Sequence, residues 1–352
     1  MKRIFALTMA IAMTITMLTG CGEKKQANAA SKKSSSSSSS SSATEFEAQT
    51  WKMGLSASEN SVTMKAAEYF SKQVKKETNG AVTIKFYPSD QLTQGNQAND
   101  VQELIEGNLD LSLHSNLAYA SFDPRFNVIS LPFLFDSAEE ASTKIREGAS
   151  GRDVKNLLDS TGLHCLGIGE DGFRYLTNNK RPVATVADMK GLHIRVGSSE
   201  MTNRIYQLWG ANPSYADWPE VFTSLKTGKF DGQETSLITA DAASIQTTQK
   251  YVTKMDAVYD CLFLCMNKDL YESLTPDLQS VVNECGNKAM SYQRKLCRET
   301  NETILTKWKS AGVTVTEPTE DAVKEFKKAS KPAWTEFEAK LTSKLISAFT
   351  KK

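Results

Sequence analysis

Histidine is scarce in this chain, with 3 residues in 352. His114, His164 and His193 lie far apart and form no H-E-x-x-H pattern, so metal-assisted hydrolysis has no sequence support and all three are read as structural or surface side chains. Cysteine is also sparse. Beyond Cys21 there remain Cys165, Cys261, Cys265, Cys285 and Cys297, an odd number without zinc-site spacing, which argues against a complete disulfide framework. Long Lys/Arg blocks are missing. The net charge of +1 conceals six cations and one anion within residues 1–44, which leaves residues 45–352 at −4 and without the basic footprint of a nucleic-acid binder. Apart from one short run near the start there is no long hydrophobic stretch, so no channel or permease of its own is expected.

That short run carries an address. Lys2 and Arg3 precede the apolar segment Ile4 to Met17, which fits a secretory signal and is too short for an ordinary span. It closes with Leu18-Thr19-Gly20-Cys21, which resembles a bacterial lipobox, so Cys21 is the expected lipidation site and residues 1–20 the signal peptide. A diacylated Cys21 would hold the protein on the outer face of the cell membrane, at about 0.8 kcal/mol per buried CH₂. Residues 21–45 then read as a flexible tether, dominated by the serine run Ser34 to Ser42.

From Trp51 onward the periodicity alternates strand and helix. A strand over Trp51–Leu55 leads to a helix with Met64, Ala67, Phe70 and Val74 on one face, stopped by Asn79-Gly80. Strand Val82–Phe86, helix Gln97–Glu106, strand Leu109–His114 and helix Ala138–Ser160 follow, an order that implies an α/β domain with a largely parallel sheet. Strands at Leu163–Ile168, Phe173–Thr177 and Leu192–Val196, with helices at Ser199–Trp209, Pro219–Thr227 and Leu237–Gln249, make a second α/β unit. Val258–Met266 reads as a strand that returns the chain to the first. Thr275-Pro276 then caps an unbroken helix over Asp277–Ala311, roughly 45 Å long at 1.5 Å per residue and able to brace both units. The expected domains are 46–170 plus 260–275, then 171–259, with 276–352 as the bridging helix and C-terminal helices.

Gly167-Ile168-Gly169-Glu170-Asp171-Gly172 matches G-x-G-x-x-G, but Phe173 to Thr177 reads as strand where a dinucleotide site needs a helix N-terminus, so a nucleotide cofactor is not expected. No nucleophile elbow or P-loop appears. The informative segment is Gly172 to Glu234. It holds Gly172-Phe173-Arg174, Asp188-Met189-Lys190-Gly191-Leu192-His193-Ile194-Arg195-Val196, Gly210-Ala211-Asn212-Pro213, Trp218-Pro219-Glu220-Val221-Phe222 and Asp231-Gly232-Gln233-Glu234. Arg174 and Arg195 sit in or at the end of strands, where an arginine either joins a salt bridge or presents its planar donor fork to a carboxylate.

In order and spacing these segments, with Tyr87-Pro88-Ser89-Asp90-Gln91-Leu92 and Glu106-Gly107-Asn108-Leu109-Asp110 upstream, resemble the substrate-binding subunit of tripartite ATP-independent periplasmic (TRAP) transporters, the DctP type. The resemblance covers essentially the whole mature chain. It implies a two-domain α/β fold of the periplasmic-binding-protein kind (type II-like), with crossing strands and a long bridging helix, closing over a small organic anion that is handed to a membrane permease. It further implies that Arg195 pairs with the ligand carboxylate, that Arg174 approaches the same anion and that Trp218 lays a ring against the ligand. Ser56, Ser115, Asn116, Ser198 and Thr235 are implied as lining residues. Thr235 stands where the family often has Asn, and Gly197 where Pro is frequent. No cofactor, no metal and no nucleic-acid partner are expected, and a monomer is. A sensor lipoprotein that presents its ligand to a receptor kinase is the alternative reading. A lipid-anchored carboxylate-processing enzyme is a further one, which a general base near the arginines would be needed to support. Dicarboxylates, sugar acids, keto acids and amino-acid-like ligands all stay open.

Overall fold

The computed structural model describes residues 45–351. The signal segment, Cys21 and the tether up to residue 44 lie outside the described residues. Among those described, no helix is long and apolar enough to cross a membrane.

Among the described residues there are ten strands: β1 (Gln49–Leu55), β2 (Val82–Pro88), β3 (Leu111–Ser115), β4 (Leu163–Asn178), β5 (His193–Val196), β6 (Asn212–Tyr215), β7 (Gly232–Ser236), β8 (Tyr251–Thr253), β9 (Tyr259–Asn267) and β10 (Thr314–Thr316). They join in the order β2-β1-β3-β9-β4-β7-β5-β6, with β8 between β4 and β10. The flanks are parallel, as β1 with β2 and β3, and β5 with β6 and β7. The centre is antiparallel: β9 lies between β3 and β4 and opposes both, and β4 opposes β7 and β8. The flanks thus carry the expected parallel pairing, and the antiparallel centre is what the βαβα order did not show. β9 enters from the far end after the excursion through residues 179–258, so it can only run against its neighbours.

β4 also departs from expectation. The two short strands expected at Leu163–Ile168 and Phe173–Thr177 are one strand of 16 residues, with bulges at Cys165/Gly167 and Glu170/Gly172. Its first part pairs with β9 and its last part, from Arg174, with β7. The G-x-G-x-x-G run therefore lies inside a strand. Its glycines let the helix Pro276–Ser310 approach: a Cβ on Gly169 would stand 2.7 Å from Gln293 Oε1, and one on Gly167 would stand 2.8 Å from Met290 Cγ.

That helix has 35 residues and is about 52 Å long at 1.5 Å per residue. Thr275 caps it, its side-chain oxygen accepting from Leu278 N, and Pro276 opens it as expected. Leu278, Val282, Cys285 and Ala289 pack with Trp51, Met53, Leu55 and Phe70 in one apolar cluster. Cys297, Ile304 and Trp308 pack with Tyr175, Val221, Leu225 and Phe230 in another. One rod thus fills two cores.

Two helices are shorter than their periodicity suggests. The helix expected over Ala138–Ser160 breaks into Ala138–Arg146 and Gly148–Ser160, because Gly148 takes a left-handed turn (φ 64°). The one expected over Leu237–Gln249 ends at Ala242, ahead of Ser244 at φ 55°.

Candidate functional site

A cavity of about 110 Å³ opens where the central strands end. Four helices start at its wall, those at Val62–Glu77, Asn116–Tyr119, Trp218–Thr227 and Leu237–Ala242, with Thr63, Leu117, Trp218 and Ile238 among the lining residues. Helix N-termini carry partial positive charge, so the position suits an anion.

Arg195 sits near the C-terminal end of β5, flanked in register by Ser214 of β6 and Gln233 of β7, and is 4% exposed. Nε donates to the Ala216 carbonyl at 2.8 Å. The four N–H groups on its two Nη atoms have no partner among the described residues, and the guanidinium lies 5.5 Å from the centre of the Trp218 ring. Burial pulls its pKa down to about 10, with Glu234 acting in the opposite sense, so it stays a cation at neutral pH.

Arg174 is differently placed. Nε donates to Glu234 Oε2 at 2.5 Å, Nη2 to Glu234 Oε1 at 3.0 Å and to the Glu234 carbonyl at 3.2 Å, and Nη1 donates to Asp260. Four of its five N–H groups are therefore committed inside the protein. Burial works against its charge, but Glu234 and Asp260 more than offset that and its pKa is raised. Burial pushes Asp260 up to about 7, with Arg174 pulling it back.

Ser56, Ser115, Arg174, Arg195, Ser198, Trp218 and Thr235 line this one cavity. Asn116 corrects the expectation, since it is not among the lining residues. It is fully buried, its Nδ2 donates to Ser130 Oγ at 3.0 Å and its Oδ1 accepts from Cys261 N at 3.1 Å. Ser115 already faces the cavity, and the helix that starts at Asn116 turns that side chain inward.

Several lining or supporting residues escaped the sequence reading. Asp171 lines the cavity and accepts from Thr239 Oγ1 at 3.1 Å, and burial raises its pKa. His114 is buried, with Nδ1 3.0 Å from Ser56 Oγ and Nε2 3.1 Å from Asp100 Oδ2. Burial alone would lower the His114 pKa, but Asp100 and Asp90 raise it. Asp90, Asp100 and His114 place ligand-type atoms within 4.8 Å of one another; both imidazole nitrogens have protein partners, so the trio reads as a charge network. A hint was present in Tyr259-Asp260-Cys261-Leu262-Phe263, because an acid inside an apolar strand needs a buried partner.

Two α/β domains crossed by β4 and β9, with a cavity holding a buried arginine that has no ion-pair partner among the described residues, are the build of a solute-binding protein. The profile of bacterial extracellular solute-binding protein family 7, DctP, matches residues 53–341, and the chain belongs to this family of TRAP substrate-binding proteins. It is 32% identical over 268 residues to the 2,3-diketo-L-gulonate-binding periplasmic protein YiaO of Escherichia coli (strain K12), covering 76% of this chain and 81% of that protein. Among solved structures, a TRAP periplasmic solute binding protein from Ralstonia eutropha H16 with bound (S)-2-acetolactate superposes with a TM-score of 0.83 at 28% identity, covering 86% of this chain and 99% of that one. The sugar acid binding protein DctPAm of Advenella mimigardefordensis, in complex with galactonate, gives 0.82 at 26% identity, covering 87% and 98%. The family and these relatives are solute-binding proteins and not enzymes.

Proposed function

We propose that this protein is the extracytoplasmic binding subunit of a TRAP transporter, capturing a small organic acid at Arg195 and delivering it to a membrane permease. The observation that carries the reading is Arg195 itself, a buried guanidinium with four free N–H groups at a cavity wall. A planar fork of this kind matches a carboxylate in two-pronged fashion. The three relatives described above are named with organic acids, which supports the same class. Arg174, locked to Glu234 and Asp260, contributes one remaining N–H and holds β4 to β7 and β9 beside the ligand. Trp218 backs the Arg195 guanidinium, and Ser56, Ser115, Ser198 and Thr235 supply polar lining.

Residues 46–170 plus 260–275 and residues 171–259 act as two lobes that close on the ligand, because an anion that touches both favours the closed state. A lipid on Cys21 keeps the protein, as a monomer, at the outer face of the membrane. Thermal-shift and calorimetric titration with a panel of organic acids tests the site: Arg195→Ala should weaken the best ligand at least about thirtyfold, the loss expected on truncating one member of a buried charge pair. Unchanged affinity in that variant would remove Arg195 from the site.

A further inference from the structure

Cys165 of β4 and Cys265 of β9 are partners in the antiparallel register, and both carry free thiols. The phase of the ladder decides how they meet. Lys268 N donates to the Gly162 carbonyl at 3.0 Å, one step beyond the pair of Leu163 and Asn267, so positions 162 and 268 oppose each other as a hydrogen-bonded pair. Bonded and non-bonded pairs alternate along antiparallel strands, which makes Cys165 and Cys265 a non-bonded pair. β3 gives the same answer from the other side. Asn267 N donates to the Asp110 carbonyl at 3.0 Å, so Asn267 and, two positions back, Cys265 direct their backbone groups toward β3 and away from β4. A non-bonded pair has Cα atoms about 4.5 Å apart with the side chains close together on one face, within the span that a disulfide bridges.

The two thiols have different surroundings. Cys265 is fully buried in the cluster of Tyr119 and Phe263, and Cys165 is partly buried against the same cluster. The Cys265 thiol hydrogen-bonds to the Cys165 sulfur and, with the charge of Lys155, holds the Cys165 pKa below its ordinary value against burial, whereas burial pushes Cys265 up. Cys165 is therefore the thiol that ionises first and the one that solvent reaches. Among the described residues no other two cysteines share a register position. Cys261 faces Glu170, and Cys285 and Cys297 lie on the Pro276–Ser310 helix in separate clusters.

We propose that Cys165 and Cys265 are a disulfide-forming pair, a modification site that staples β4 to β9 at the foot of the second lobe. The inference stands on the sheet register and takes from the proposed function only the placement outside the cytoplasm, where disulfide oxidants act. With oxidised glutathione as the oxidant, the Cys165 thiolate attacks one of its sulfurs and expels the first glutathione. Cys265 then gives up its proton, attacks the Cys165 sulfur and expels the second. The two protein thiols lose two electrons, and the oxidant leaves as two glutathione thiols that carry the two protons. The bond closes a loop of about 100 residues that contains the whole of 171–259, and long loops restrict the unfolded chain most.

The test incubates the purified full chain with oxidised glutathione, blocks the remaining thiols with N-ethylmaleimide in denaturant and maps the digest by mass spectrometry. The expected result is a linked peptide pair through Cys165 and Cys265, two hydrogens lighter than the separate thiol peptides, with Cys261, Cys285 and Cys297 alkylated. A reductant should then lower the melting temperature of the oxidised protein by at least about 3 °C and leave that of Cys165→Ala unmoved. Recovery of both Cys165 and Cys265 as alkylated peptides, glutathione on Cys165 beside a free Cys265, or a bridge to a different cysteine overturns the proposal. So does a bridged protein whose melting temperature ignores the reductant. None of these outcomes touches the reading of Arg195, which the organic-acid titration decides.

Discussion

At the scale of single residues, Asn116 shows how a neighbour of the site differs from a member of it. Its amide satisfies the Cys261 N–H and the Ser130 hydroxyl in the fully buried interior. Asn116→Ala leaves both without that partner, and a buried unsatisfied group costs about 1 to 3 kcal/mol, so this variant should lose stability in thermal denaturation while its ligand affinity changes less than about threefold. A large loss of affinity at wild-type stability would return Asn116 to the cavity wall. The other seven expected residues were legible only through the family resemblance, and the fold brings all seven to the lining of one cavity. The aspartates to which lining hydroxyls donate were not legible. Ser115 and Asp260 are 145 positions apart, and nothing in the local pattern of either one announces the other.

Elements were legible where their periodicity was long and their ends were chemically marked. The Pro276–Ser310 helix has both a cap and a proline at its start. The three-residue strands β8 and β10 are too short to alternate visibly, and the breaks at Gly148 and Ser244 depend on left-handed turns inside otherwise helical patterns. The contact between the long helix and β4 is the element-scale feature with a sharp consequence. A Cβ on Gly286 would lie 2.6 Å from the Leu166 carbonyl oxygen and 2.7 Å from the Leu166 Cβ, and backbone cannot swing aside as a flexible side chain can. Gly286→Ala therefore overpacks the joint between rod and strand. A loss of about 1 to 3 kcal/mol is expected, despite the better helix propensity of Ala, and thermal denaturation beside the wild type measures it. An unchanged or raised melting temperature would show that the rod is free to move off the strand.

For the molecule as a whole, several buried acids and His114 bend the pH dependence of folding the same way. Burial raises the pKa of Asp90, Glu170, Asp171 and Asp260, the last to about 7, and the Asp100 and Asp90 partners raise that of His114 against its burial. A group with a raised pKa binds its proton more tightly in the folded state, so the stability it contributes is complete below its unfolded pKa and is lost as the pH climbs through the folded value. For Asp260 that window runs from 3.8 to about 7, and for His114 it opens at 6.5 and extends upward. Asp123 and Asp188, whose pKa values are lowered against their burial by hydrogen bonds from Arg125 and Thr185, act oppositely, losing their contribution only as the pH falls below the ordinary carboxylate range. The melting temperature of the ligand-free protein should therefore be higher at pH 5 than at pH 8. Asp260→Asn keeps one carbonyl acceptor for Arg174, turns its NH2 toward the Ser115 oxygen and cannot titrate, and it should flatten the part of the slope between pH 4 and pH 7. A wild-type melting temperature that rises from pH 5 to pH 8 would mean that these acids reach solvent in the free protein, with the lobes open enough to hydrate the cavity wall.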